Sequence, residues 1–184
     1  IFRLQTAQQE GPAIASTSPL VAADIHHAFD RDSGSVFVCG NKNYEIFVKS
    51  ADGTTRLVIH NAYRKISLDD AAKERVLKLI APRIRREAIK PAGEQLPDAL
   101  NAIWGIEALR GGVLAVKRIT GIDSVEIDLF DKDGRLLYTI LPSAEIPDLR
   151  GVRFFGDTIA YFRESDEGNV FVELRAKNIT EIWD

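Results

Sequence analysis

Glu45-Ile46-Phe47-Val48-Lys49-Ser50-Ala51-Asp52-Gly53, continued to Ile59, lies without a gap on Glu126-Ile127-Asp128-Leu129-Phe130-Asp131-Lys132-Asp133-Gly134, continued to Ile140. Glu, Ile, Asp, Gly and the closing Ile coincide, and several other positions keep their apolar or polar character. Each copy reads as a strand, an Asp-Gly hairpin turn and a second strand. Glycine supplies the positive φ such turns need, and β-branched and aromatic residues fit the pleat. A glycine and a further strand precede each copy: Gly34-Ser35-Val36-Phe37-Val38 in one, Gly112-Val113-Leu114-Ala115-Val116 in the other. The unit is a four-stranded antiparallel meander used at least twice. A third, weaker copy runs from Gly156 to Arg175.

Outward from the repeat, the remaining strands fall at a spacing near ten residues. Ile25 to Phe29, Val36 to Cys39, Tyr44 to Lys49 and Thr55 to Ile59 precede the change of period. Ala102 to Glu107, Val113 to Arg118, Ser124 to Phe130 and Leu136 to Leu141 follow it. Val152 to Phe155, Thr158 to Phe162 and Val170 to Arg175 close the chain. Between the first two groups the pattern turns helical. Ser67 is placed to cap a helix, with Asp69 and Asp70 in its first turn. Ala72, Val76, Leu79, Ile80 and Ile84 share one face, and Pro82 predicts a kink near Ala81. The expected organisation is a strand (Ile1 to Leu4) and linker of a preceding blade over 1–21, a blade over 22–66, a helical insertion over 67–95, a blade over 96–150 and a final blade over 151–184. The fold class is all-β, about three β-propeller blades with one inserted helical segment, because repeated four-stranded sheets are the signature of a propeller.

The pattern resembles the six-bladed β-propeller proteins of the NHL/TolB-like kind, over roughly residues 22 to 180. The likeness is carried by Asp32 to Val38, Tyr44 to Val48 with Asp52-Gly53, Pro97 to Ile106, Val125 to Gly134 and Val170-Phe171-Val172. These are turn and core positions. The resemblance implies an extracytoplasmic location, in the periplasm or at the cell surface. It also implies six blades where this chain supplies about three. The chain therefore reads as the C-terminal half of a longer propeller, or as a half-ring that pairs with a second copy, since an unclosed blade leaves free edges. A start at Ile1 and the absence of methionine agree with a processed or truncated piece.

Composition narrows the function classes. The chain has 184 residues, 45% hydrophobic and 28% charged, with a formal net charge of -3. Overall basicity therefore does not hold nucleic acid, and none is expected as a partner. No run of about 20 apolar residues is available to span a membrane. One cysteine, Cys39, makes neither an internal disulfide nor a Cys-based metal cage. It reads as a buried, inert thiol.

The candidate ligand-binding residues are His26, His27, Arg83, Arg85, Arg86 and Trp104. His26-His27 with Asp30 and Asp32 invites a metal, but neighbours in a strand point to opposite faces, so no metal is assigned. Asp30-Arg31-Asp32-Ser33-Gly34 and Asp131-Lys132-Asp133-Gly134 look like calcium loops. Their twelfth positions are Asn41 and Pro142, neither of which supplies a bidentate carboxylate. Both read as hairpin turns. Lys73 to Lys90 holds seven basic residues against two acidic ones. With no aromatic residues interleaved, a solvated face complementing an acidic surface fits better than a polyanion site. Trp104 reads as core packing first and ligand platform second, and Trp183 as a cap on the last blade. No Gly-rich phosphate loop, nucleophile elbow or paired-His zinc motif occurs, so no cofactor is expected. The expected function is a non-catalytic binding or scaffold module with a protein or glycan partner. The alternatives are a lyase or hydrolase with its site at the central channel, and a self-pairing structural half-propeller.

Overall fold

The computed structural model describes residues 18–81, 96–144, 146–155, 158–165 and 168–175, with side chains described through residue 161, that of residue 158 excepted. Sheet I contains β1 (Ile25–Phe29), β2 (Val36–Gly40), β3 (Glu45–Lys49) and β4 (Thr55–His60) in that order. Helix α1 (Asp70–Ile80) follows. Sheet II contains β5 (Ile103–Ala108), β6 (Leu114–Ile119), β7 (Val125–Phe130) and β8 (Leu136–Ile140). Sheet III has β9 (Arg153–Phe155), β10 (Thr158–Ser165) and β11 (Gly168–Arg175). All pairings within these sheets are antiparallel between chain neighbours. The chain is thus mostly β, built from antiparallel meanders. No described helix is long and apolar enough to cross a membrane.

The repeat holds down to its irregularities. Ile46 pairs with Ile59, and 81 residues later Ile127 pairs with Ile140. The register slips between Val48 and Lys49 in sheet I and at the matching Leu129 and Phe130 in sheet II. Such a bulge strengthens the local twist. The turns also match. Gly53 N–H donates to the Ser50 carbonyl at 2.8 Å, and Gly134 N–H to the Asp131 carbonyl at 3.0 Å.

Sheet II lies between the other two. Its β6 alternates Leu114 and Val116 toward sheet I with Ala115 and Ile119 toward sheet III. Phe37, Cys39, Ile46, Val48 and Ile59 meet the first of these faces. Val152 and Tyr161, with Phe154 and Ile159, meet the second. Burial on both faces explains why β6 opens with the consecutive apolar residues Leu114-Ala115-Val116, whereas β7 alternates Val125-Glu126-Ile127-Asp128. Helix α1 packs its Val76 and Ile80 into the sheet II–sheet III cluster.

The helix starts later than its sequence suggests. Its cap is Asp69, whose carboxylate accepts from Ala72 N–H at 2.7 Å, and not Ser67. The cause is tertiary. Residues 66–68 stay extended because Leu68 N–H donates to the Asp98 carbonyl and Leu100 N–H to the Ile66 carbonyl, pinning both ends of the excursion together. Leu79, assigned to the apolar face, is exposed. The last hairpin is tighter than the Ser165–Asn169 turn expected, with pairing that continues to Ser165 and Gly168. The Ile1–Leu4 strand, the Pro82 kink and Trp183 lie outside the described residues.

Candidate functional site

Two ionised side chains sit next to each other in β6, in the middle of a buried strand. Alternation sends them to opposite faces, and each finds an acid. On the sheet I side Arg118 Nε donates to Asp128 Oδ2 at 2.8 Å, and Arg118 Nη2 donates to Glu126 Oε2 at 2.6 Å. Asp128 is fully buried and also accepts Tyr44 Oη–H at 2.8 Å and Thr139 Oγ1–H at 2.8 Å. Burial and then the Asp128 charge push the Tyr44 phenol well up, so it remains a donor. This network joins sheet I to sheet II. A buried carboxylate is tolerable because its oxygens are filled by hydrogen bonds.

On the opposite face lies Lys117, only 2% exposed. Its ammonium donates to Glu107 Oε1 at 2.8 Å and to the Val152 carbonyl at 2.5 Å, with the Arg150 carbonyl at 3.4 Å. Burial draws its pKa down, and the Glu107 hydrogen bond opposes that. Glu107 in turn accepts Arg153 Nη1–H at 3.0 Å. Lys117, Glu107 and Arg153 therefore bind sheet II to sheet III and form one wall of a cleft of about 310 Å³.

The other walls come from β1 and β5. Ile25, His26 and His27 contribute from β1, and Trp104, Gly105 and Ile106 from β5. β1 lies beside β5. A bulge between Ile103 and Gly105 re-aims Trp104 at this point. Trp104 is half-buried against the core, with the Arg150 guanidinium 5.7 Å from its ring centroid. Gly105 leaves open space: a Cβ there would meet nothing within 4 Å. His26 is half-buried, and its Nε2 is the one fully buried side-chain polar atom without a hydrogen-bond partner among the described residues. Burial lowers the His26 pKa, so the ring is neutral at neutral pH.

Three of the six residues singled out from sequence thus meet in one place: His26, His27 and Trp104. His26 and His27 alternate across β1, half-buried and exposed, as a strand requires. Arg83, Arg85 and Arg86 lie outside the described residues. Sequence reasoning missed Glu107, Lys117 and Arg153. The available signal was Lys117-Arg118 within Leu114 to Ile119, since consecutive cations in an apolar strand must each be paired.

The calcium-like loops are turns. Asp30 accepts from Asp32 N–H at 3.0 Å and from Ser33 Oγ–H at 2.5 Å, and Asp131 accepts from Asp133 N–H and Arg135 N–H. A second cleft of about 370 Å³ lies between these turns, with Arg56 and Lys132 among its lining residues. The basic face of α1 is partly spent on acids: Arg75 on Asp123 at 2.5 Å, Lys73 on Asp98 at 2.9 Å and Lys78 on Glu74 at 2.8 Å.

No protein-family model matches this sequence, and comparison with curated proteins gives no relative.

Proposed function

We propose that this chain is a β-propeller binding module, with the three sheets as successive blades and the His26–Trp104–Arg153 cleft as its ligand site. One observation carries the reading: β1, β5 and β9, the first strand of each sheet, all contribute to that cleft. Blades that radiate from an axis place their first strands on the central channel, where propellers gather ligand-binding groups from several blades. The polar groups there come from three sheets, and those of sheets II and III share one hydrogen-bonded wall. The ligand is a small molecule, or the exposed end of a protein or glycan partner.

The blades belong to a larger ring. Sheet I packs one face on sheet II, yet its outward face is apolar at the centre. Val38, Phe47 and Val58 cross it in register, flanked by Ile25 at 65% and Phe29 at 57% exposure. Glu45, His60 and Lys49 form a polar margin. An apolar centre with a polar rim is the anatomy of a buried interface.

Trp104 is a built-in reporter. With Trp183→Phe, the chain keeps one tryptophan. Titration of that variant with panels of small glycans and peptides should give a saturable change in Trp104 emission. No response to any panel member would overturn the binding reading. A ligand that binds and is chemically converted would make the module an enzyme.

A further inference from the structure

Resting on the reading of the three sheets as successive blades, we propose that the chain assembles head to tail with a second copy of itself, the outward face of sheet I in one copy receiving the outward face of sheet III in the next.

The two junctions inside the chain use the faces of the sheets in the same order. Sheet I presents Phe37, Ile46, Val48 and Ile59 to sheet II. Sheet II presents Ala115, Ile127, Leu129 and Ile140 to sheet III. The two sets occupy matching places. Phe37 pairs with Val48 and Ile46 with Ile59, as Ala115 pairs with Leu129 and Ile127 with Ile140. One face of each sheet therefore leads, and the opposite face of the following sheet receives it. Sheet II receives sheet I on Ile106, Leu114, Val116 and Phe130, all buried.

Sheet I has the same receiving face, but it is bare. Val38 pairs with Phe47 and Phe47 with Val58, where sheet II pairs Val116 with Asp128 and Asp128 with Thr139. Phe29 pairs with Val36, where sheet II pairs Ala108 with Leu114. Ile25, Phe29 and Val58 are exposed on this face. Its centre also tells what fits. Asp128 accepts a hydrogen bond from Tyr44 of the sheet packed on it, whereas Phe47 in the same place offers no acceptor. The sheet that covers sheet I must be apolar there, because a polar donor would be stranded.

A leading face is free at the other end of the stack. Phe154, Ile159 and Tyr161 pack toward sheet II. Phe155, next to Phe154 in β9, projects the opposite way and is 63% exposed. Within a chain β1 lies beside β5. The same step between copies sets β9 of one copy beside β1 of the next, and brings Phe155 to Ile25 and Phe29. The contact continues the junctions already present and joins two different faces. It is heterologous, and it closes into a ring where the rotation returns to its start.

Complementation between two variants tests this arrangement. Phe29→Lys spoils the receiving face and Phe155→Glu the leading face. Each alone should move association, followed by sedimentation velocity, to at least about tenfold higher concentration. Mixed in equal amounts, the two should associate again. The sound face of each meets the sound face of the other, and the remaining junction sets opposite charges together. Leu141→Lys, at a similarly exposed apolar residue beyond β8, should change nothing. Both altered positions are exposed, and circular dichroism checks the fold. Ile25→Lys and Phe155→Ser stand in for a variant that loses it. Association that Phe29→Lys abolishes and Phe155→Glu leaves intact would overturn the head-to-tail contact in favour of sheet I pairing with itself, with the blade reading untouched. Loss in both variants without recovery on mixing would overturn it as well. A chain monomeric at every concentration would overturn the contact and the ring together, while the Trp104 titration still judges the cleft.

Discussion

Cys39 shows how one side chain couples the interior to pH. It lies in β2, buried at 1% exposure, and burial pushes its thiol up to about 12 from 9.0. The unfolded chain releases that proton near pH 9 while the folded chain keeps it. Stability from this group is whole below pH 9 and is lost as pH rises toward 12, about 4 kcal/mol in all. Urea unfolding between pH 9 and 10 should therefore show stability falling with a slope of which Cys39 supplies about 1 kcal/mol per pH unit. Cys39→Ala should be flatter by that amount, and equal slopes would show that the thiol is not desolvated. Composition and strand pattern were enough to read Cys39 as inert. They could not reach Lys117 or Asp128. Each is a charge in an apolar strand whose partners come from other strands or another sheet, so its meaning appears only once the sheets are stacked.

At the scale of elements, hairpins were legible because their chemistry is local: alternation, an Asp-Gly turn and a glycine at positive φ. The start of α1 was not, because residues 66–68 are held extended by residues 98–100, a pairing that no local signal announces. The β7–β8 turn illustrates a further non-local demand. Gly34 and Gly134 both have positive φ, 70° and 77°. A Cβ on Gly34 would meet nothing within 4 Å, whereas one on Gly134 would lie 2.8 Å from Leu57 Cδ2 and 3.1 Å from Ile59 Cγ1 of β4. Gly34→Ala should cost about 1 kcal/mol, from left-handed strain alone. Gly134→Ala should cost at least about 1 kcal/mol more, because it also displaces sheet I side chains. Chemical denaturation measures both, and equal costs would mean that the sheet II turn does not press on β4.

At the scale of the molecule, the sheets form a stack open at sheet I. The repeat made the sheets legible, and His26, His27 and Trp104 were legible as residue types suited to a ligand site. That they converge with Glu107, Lys117 and Arg153 was not, since these residues are spread from β1 to β9 and meet only through packing. The same packing leaves Ile25, Phe29 and Val58 facing water on the outward side of sheet I. Patches of this kind mark contact surfaces. If the sheets are blades of a ring, this face must receive another sheet, and a solution of the chain alone offers only a second copy. Sedimentation velocity over a wide concentration range is the most direct test. A ring-forming stack predicts concentration-dependent association that Phe29→Lys abolishes while the fold is retained. A species that stays monomeric at every concentration, with or without Phe29→Lys, would contradict it.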